Sequence, residues 1–216
     1  THHRVIIVTE SIFSMDGDQA DLQKLTELKR KYDNVLLYVD EAHAFGVRGR
    51  QGLGCAEEFH CIHDIDFLVG TFGKAAASVG AYIVCKKVIR EYLVNRMRTL
   101  IFTTGLPPVN IAWTLFIVRR LADMQERRKH LAHISRTLRE ALQVRGYTCP
   151  SVSHIVPMII GPSADTVLQA EALQRHGFYA LPTVPEGMSR IRFSLTAEIR
   201  KEEIEELSNN ISAYTD

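Results

Sequence analysis

The strongest constraint on the fold is a strand–helix–strand pattern near the start of the chain. Residues 4–8 and 35–39 are short runs rich in β-branched and aliphatic residues, which predict strands. Between them Leu22, Leu25 and Leu28 recur at three-residue spacing, which predicts an amphipathic helix. A strand, a helix and a strand in that order form a βαβ unit with parallel strands. The chain is therefore predicted to have an α/β fold, with the strand at residues 4–8 fully buried.

Polar side chains follow two of the predicted strands at their carboxyl ends. They are Asp40, Glu41 and His43 after the strand at 35–39, and Thr71 and Lys74, separated by Phe72 and Gly73, after a second apolar run at 67–70. In an open parallel sheet, ligands bind beyond the carboxyl ends of the strands. An acid, an imidazole, a hydroxyl and an amine at one edge of a sheet therefore predict one catalytic site.

Three of these residues have side chains suited to catalysis. Lys74 lies among small residues, and a lysine amine in a confined site can lose its proton and attack a carbonyl carbon. Asp40 ends an apolar strand, where a carboxylate needs a partner such as a protonated ring nitrogen. His43 can hydrogen-bond a ligand or transfer a proton near neutral pH. The alternative is that Asp40 caps a local turn, with His43 and Lys74 on the surface.

The second half of the chain also alternates helical and strand patterns. The predicted elements are one long helix or two over residues 109–145, strands at 155–160, 178–181 and 189–195, and helices at 165–176 and from 201. Arg190 and Arg192 flank Ile191 in a predicted strand, so their side chains point the same way. One of them can bind a carboxylate in a bidentate pair. The alternative is that both arginines are exposed on an edge strand.

The composition excludes several classes of protein. Hydrophobic residues make up 46% of the chain and charged residues 24%, as in ordinary globular domains. The formal net charge of +1 gives no basis for binding nucleic acid or an anionic membrane. No apolar stretch approaches the roughly 20 residues that span a bilayer. The four cysteines follow no framework or metal-site spacing, so we expect reduced thiols in the cytoplasm and no bound metal.

Five segments in a fixed order carry a resemblance to a known family. They are residues 14–18, 40–43, 70–75, 102–108 and 190–197. Together they resemble the α-oxoamine synthases, a family of fold type I pyridoxal-phosphate enzymes, over nearly the whole chain. The resemblance implies the latter part of a large domain over residues 1–107, a mainly parallel sheet with helices on both faces. It also implies a small C-terminal α+β domain over residues 108–216.

The resemblance implies roles for the residues at the sheet edge. Lys74 is expected to hold pyridoxal 5'-phosphate as a Schiff base and then to remove the α-proton of an amino acid. Asp40 is expected to pair with the pyridinium nitrogen, and His43 to hydrogen-bond near the ring hydroxyl. Ser14 is expected close to them.

The resemblance also implies residues that bind the phosphate and the substrate. Thr71 is expected to bind the cofactor phosphate, and Thr103 or Thr104 to reach the phosphate of a neighbouring subunit in a homodimer. Arg192, rather than Arg190, is expected to bind the substrate carboxylate.

The implied reaction is a decarboxylative condensation of an amino acid with an acyl thioester. The stretch at residues 78–85 favours the biotin-pathway branch, which condenses L-alanine with a pimeloyl thioester. Branches that use glycine or serine stay open. The family has a further stretch before the region that matches Thr1, so we expect that this chain alone does not complete the cofactor site. An inactive fragment without cofactor is the remaining alternative.

Overall fold

The computed structural model describes residues 3–183 and 187–214. The chain divides into two compact units. The first contains residues 1–12 and 20–125, and the second contains residues 13–19 and 126–216. This division falls later in the chain than residue 107, where the sequence predicts a domain boundary. The boundaries of the functional domains stay a prediction.

The first unit is built on a four-stranded sheet. Its strands are β1 (Val5–Glu10), β2 (Val35–Asp40), β3 (Phe67–Thr71) and β4 (Ala81–Cys85), in that spatial order. β1, β2 and β3 are parallel, whereas β4 runs antiparallel to β3. In the register of these strands, Asp40 lies opposite Glu10 on one side and Val69 on the other. The predicted α/β fold is confirmed as a mixed, mostly parallel sheet with helices.

Helix α1 (Leu22–Lys31) connects β1 to β2, as the βαβ pattern predicts. Asp21 caps its first turn by accepting a backbone hydrogen bond at 3.0 Å. In the last turn, Lys29 forms an ion pair with the buried Asp66 at 2.6 Å. The same carboxylate accepts a hydrogen bond from the backbone N–H of Leu37 at 2.8 Å. Asp66 therefore fixes the helix against β2 and the start of β3.

The sequence overestimated the burial of β1 and of the helix after β4. Ile6 and Val8 point to the same face of β1 and are 55% and 68% exposed, so that face of the strand is largely uncovered in the described part of the chain. The apolar pattern of residues 86–100 predicts one amphipathic helix with its apolar side chains inward. The structure breaks this helix in two at Met97, and none of its described residues is buried.

Three helices and two 3-10 turns complete the first unit, together with a short helix in the loop after β2. The helices are α2 (Cys55–Glu58), α3 (Lys87–Arg96), α4 (Arg98–Ile101) and α5 (Pro108–Arg120), and the 3-10 turns are Ile62–Asp64 and Leu121–Met124. Residues 44–66 show no sustained period, which predicts a long loop, and the structure divides this loop by α2 and one 3-10 turn. Apolar side chains on α5 are exposed on several sides of the helix.

The second unit packs helices against a smaller antiparallel sheet. Its elements are α6 (Gln125–Val144), β5 (Ile155–Gly161), α7 (Ser163–Arg175), β6 (Pro182–Thr183), β7 (Ser189–Ser194) and α8 (Lys201–Asn209). The strand order is β5-β7-β6, so β7 is central. The strand predicted at residues 178–181 is wrong, because the chain pairs with β7 only from Pro182. In the two described ranges, no helix is both long and apolar enough to cross a membrane.

Candidate active site

The backbone register places Asp40 and Thr71 on one face of the first sheet. Asp40 pairs with Val69, and residues paired across a ladder point to the same side. Thr71 lies two residues after Val69 and therefore shares that face. Both side chains are half-buried at the carboxyl ends of adjacent parallel strands. The acid and the hydroxyl that the sequence singled out thus share one edge of the sheet.

A tight turn follows β2 and carries His43. It begins at Glu41, whose carbonyl accepts backbone hydrogen bonds from Ala44 at 2.9 Å and Phe45 at 2.7 Å. Asp40 Oδ1 accepts a hydrogen bond from the N–H of Ala42 at 2.8 Å. The local capping that we considered as an alternative for Asp40 is therefore present. It fixes the carboxylate at the strand end and is compatible with a ligand.

Lys74 lies in the hairpin of residues 72–80, which joins β3 to the antiparallel β4. Its side chain is exposed, and its carbonyl accepts a hydrogen bond from the N–H of Ala77 at 2.9 Å. Thr71 Oγ1 accepts a hydrogen bond from the N–H of Gly73 at 3.1 Å. The hydroxyl and the amine are therefore held within one short segment at the end of β3.

Helix α5 supports this hairpin from outside the sheet. The indole N–H of Trp113 donates to the carbonyls of Ala76 and Ala77 at 3.2 and 3.1 Å. The hydroxyls of Ser78 and Thr114 are 2.8 Å apart. Trp113 was not predicted from the sequence, because nothing in a helical pattern indicates a contact with a hairpin 36 residues earlier.

Thr103 and Thr104 are exposed in the irregular segment between α4 and α5. Thr103 Oγ1 lies 3.4 Å from the carbonyl oxygen of Thr104. The same segment contacts the end of the Lys74 hairpin, since a Cβ added at Gly80 would lie 2.8 Å from Leu106 Cδ1. The structure thus brings this segment to the hairpin, and it leaves both threonine side chains accessible.

Glu41 is a structural residue whose role is distinct from those of its polar neighbours Asp40 and His43. It has no exposed surface. Its carboxylate accepts hydrogen bonds from Ser11 Oγ at 2.6 Å, Cys55 N at 3.0 Å and Ala56 N at 2.6 Å. Burial raises the pKa of this carboxyl above its ordinary value. Glu41 therefore connects the end of β1, the turn that carries His43 and the first residues of α2.

The second unit contains the two arginines of β7. Arg190 is 3% exposed and forms an ion pair with Asp16. Arg192 is half-buried and donates from Nε to the carbonyl of Ser14 at 2.6 Å and from Nη1 to the hydroxyl of Ser194 at 2.7 Å. The alternative of two exposed arginines on an edge strand is wrong, because β7 is central and both side chains have fixed partners.

The electrostatic surroundings distinguish these two arginines. Burial lowers the pKa of Arg192, and no carboxylate contributes to that shift. Ser14 and Ser194, which accept these two hydrogen bonds, are neutral. A half-buried guanidinium with neutral neighbours attracts an anion, whereas Arg190 already faces the carboxylate of Asp16. The predicted binding role of Ser14 stays a prediction, since its carbonyl is the atom that contacts Arg192.

The cysteines lie outside this chemistry. Burial raises the pKa of Cys55 to about 12 and that of Cys61 to about 11, so both thiols are protonated and poorly reactive at neutral pH. Within residues 3–183 and 187–214, no group of three histidine, cysteine or acidic side chains is arranged to hold a metal ion.

Comparisons with known proteins agree with the motifs. The chain is 52% identical over 211 residues to the 8-amino-7-oxononanoate synthase of Haemophilus ducreyi (strain 35000HP / ATCC 700724), a match covering 94% of this chain and 54% of that protein. It superposes with a TM-score of 0.87 on a serine palmitoyltransferase from S. paucimobilis with a bound PLP–myriocin aldimine, at 29% identity, covering 95% and 53% of the two chains. It superposes with a TM-score of 0.85 on the 8-amino-7-oxononanoate synthase of Francisella tularensis, at 25% identity, covering 96% and 63%.

The matches agree in how much of this chain and of its relatives they cover. The chain spans about half the length of the curated relatives it matches. The sequence profile described as aminotransferase class I and II matches residues 1–211, which is nearly the whole chain. The resemblance to fold type I pyridoxal-phosphate enzymes is confirmed, and the chain belongs to the aminotransferase class I and II family.

Proposed function

We propose that the protein containing this chain is an 8-amino-7-oxononanoate synthase of biotin biosynthesis. It condenses L-alanine with a pimeloyl thioester, carried by coenzyme A or a carrier protein, and releases carbon dioxide and the thiol. The observation that carries the proposal is the shared sheet edge, where Asp40, Thr71 and Lys74 follow two adjacent parallel strands. The choice of reaction is supported by the names of the relatives that are more than half identical to the chain.

The residues at this edge fit pyridoxal 5'-phosphate as the cofactor. The group needs a carboxylate for its ring nitrogen, an amine for its aldehyde and small hydroxyl or amide donors for its phosphate. The carboxylate of Asp40, the amine of Lys74 and the hydroxyl of Thr71 are all present at the carboxyl ends of β2 and β3. The backbone N–H of Gly73 donates to the Thr71 hydroxyl, so a hydroxyl donor and an amide donor lie next to each other there. When bound, the cofactor supplies an electron sink for negative charge that develops at the α-carbon of the substrate.

Each side chain then has a defined task. Lys74 would hold the cofactor through Nζ and would accept the α-proton of the substrate at the same nitrogen. Asp40 keeps the proton on the ring nitrogen, and its fixed position in the turn keeps the carboxylate oriented. His43 hydrogen-bonds near the ring hydroxyl. Ser14, which lies in the second unit, is proposed as a further cofactor-binding residue.

We further propose that the whole protein acts as a homodimer in the cytoplasm, with residues 108–216 as its small C-terminal domain. Thr103 or Thr104 then contacts the cofactor phosphate of the neighbouring subunit. The exposed apolar side chains of α5 support a second copy as the partner, because a helix that is apolar on several sides is normally covered. The four free cysteines are compatible with a reducing compartment.

Replacing Lys74 with alanine tests the proposed cofactor role directly. We expect the visible absorbance of the lysine-bound cofactor to disappear from the complete gene product, because no other amine stands at the end of β3. Replacing the exposed Lys87 is the matched control and should leave the absorbance unchanged. An unchanged band in the Lys74 variant would remove this lysine from its role. A lysine-bound band from the 216-residue chain alone would contradict the expectation that the chain does not complete the site.

Replacing Arg192 with lysine tests the proposed carboxylate anchor. We expect KM for the amino acid to rise about 10- to 100-fold. The reason is that a lysine ammonium cannot make the two parallel hydrogen bonds of a guanidinium already oriented by Ser14 and Ser194. The exposed Arg175 provides the control substitution. An unchanged KM would exclude Arg192 as the anchor.

Two alternatives have their own tests. A synthase of the type of 2-amino-3-ketobutyrate CoA ligase or serine palmitoyltransferase would use glycine or serine. The serine palmitoyltransferase neighbour supports this reading at 29% identity. Assaying alanine, glycine and serine against several acyl thioesters separates these reactions. The inactive-fragment alternative predicts no cofactor absorbance from the chain or from the complete gene product, and that result would overturn the synthase proposal.

A further inference from the structure

Two loops of the first unit meet through the smallest side chains available. Gly46 has a φ of +79°, and a Cβ added to it would lie 2.6 Å from the Cβ of Ala75. Non-bonded carbon atoms pack at about 3.5–4.0 Å, so an alanine at position 46 cannot fit without movement. The N–H of Gly46 donates to the carbonyl of Gly52 at 2.7 Å, which restricts movement on that side of the contact.

Each residue of this contact lies close in sequence to a residue of the proposed site. Gly46 lies three residues after His43, in the turn held by the carbonyl of Glu41. Ala75 follows Lys74 in the hairpin of residues 72–80. The contact therefore joins the turn after β2 to the hairpin after β3, beyond the strand pairing that ends at Asp40 and Val69.

Aromatic rings pack beneath the same contact. The ring of Phe45 lies 6.1 Å from that of Phe72 and 5.2 Å from that of Tyr82, measured between centroids. Phe72 and Tyr82 are 5.3 Å apart, and the buried Ala76 packs with them. Such contacts depend on shape, because dispersion falls off steeply when atoms are displaced. The relative position of the two loops is therefore sensitive to one added methyl group.

We propose that the Gly46–Ala75 contact sets the position of the Lys74 hairpin against the turn that carries Asp40 and His43. Gly46 is then a positioning residue, since it acts on the amine only through Ala75. This inference rests on the proposed function for its catalytic meaning, but the packing it describes can be measured without cofactor. An alanine at position 46 pushes the hairpin outward and loosens its hydrogen bonds.

Amide hydrogen exchange in peptides covering residues 72–80 tests the proposal on the chain itself. We expect Gly46→Ala to speed exchange there about tenfold or more, because overpacking a close contact destabilises the local structure. The double variant Gly46→Ala/Ala75→Gly removes the opposing methyl group. The amide exchange rates of residues 72–80 should therefore be nearly the same in the double variant as in the single variant Ala75→Gly.

The rescue separates steric positioning from backbone strain. Gly177 has a φ of +87° and no atom within 4 Å of an added Cβ, so Gly177→Ala shows what a left-handed alanine does without a neighbour. If Gly46→Ala leaves exchange at 72–80 unchanged, or acts equally with and without the methyl group of Ala75, the inference is wrong. In the complete gene product, we expect the same rescue for kcat. Failure of the proposed function would appear instead as unchanged cofactor absorbance in Lys74→Ala.

Discussion

Gly17→Ala is expected to dislodge residues 13–19 from the second unit and to lower the free energy of unfolding by about 3 kcal/mol or more. Gly17 has a φ of +66°, which an alanine adopts only with strain. An added Cβ would lie 2.1 Å from the carbonyl oxygen of Ile155 and 2.7 Å from Ser151 Oγ. The first of these atoms belongs to the backbone of β5, so it cannot rotate away.

The effect reaches the proposed substrate anchor, because the same loop holds both arginines of β7. Displacement of the loop would remove the carbonyl of Ser14 from Arg192 and the carboxylate of Asp16 from Arg190. Buried Arg190 would then lack its charge partner, which adds to the destabilisation.

Urea unfolding combined with amide exchange in residues 13–19 and 189–194 measures the result. The control is again Gly177→Ala, for which we expect a loss of only about 1–2 kcal/mol, since it has positive φ without a steric neighbour. Equal losses in the two variants would mean that backbone strain alone explains the effect at Gly17. The close approach to Ile155 would then have no energetic consequence.

The sequence predicted the parts of the fold that depend on local pattern. The βαβ unit and the strand ends carrying Asp40 and Thr71 follow from residue type and spacing over a few positions. Parallel pairing then brings adjacent strand ends together without further information. The location of the candidate site at the carboxyl ends of β2 and β3 was therefore predictable from the sequence.

The remaining features depend on contacts between distant parts of the chain. The apolar pattern of β1 predicts burial, but whether a neighbour covers the strand is not encoded in that pattern. Gly46 and Trp113 matter because of Ala75, Ala76 and Ala77 in the hairpin, and no local period indicates such pairs. Glu41 was partly accessible to sequence reasoning, because a carboxylate directly after a buried strand must find hydrogen-bond donors.

The contacts of Glu41 predict the second large effect. Glu41→Ala removes the acceptor of three buried donors and leaves a cavity, so we expect a loss of about 3–5 kcal/mol in the free energy of unfolding. Glu41→Gln keeps the shape but places an amide NH2 group against the N–H of Cys55 or Ala56, because both oxygens accept from backbone donors. We expect a loss of about 2 kcal/mol for this variant, the typical effect of one buried unsatisfied donor.

The two substitutions at Glu41 should also differ in where they loosen the structure. In the glutamine variant, amide exchange should increase mainly at Cys55 and Ala56, because the hydroxyl of Ser11 can rotate to accept from the new amide. In the alanine variant, it should also increase in the turn that carries His43. Glu27, which is exposed on α1, provides the matched Glu→Gln control and should change stability by no more than about 0.5 kcal/mol. If Glu41→Gln lowers the free energy of unfolding no more than Glu27→Gln does, water or other rearranged groups must accept the hydrogen bonds that the carboxylate accepted. The turn would then be held by its backbone hydrogen bonds and by the hydrogen bond from Ala42 N–H to Asp40 Oδ1.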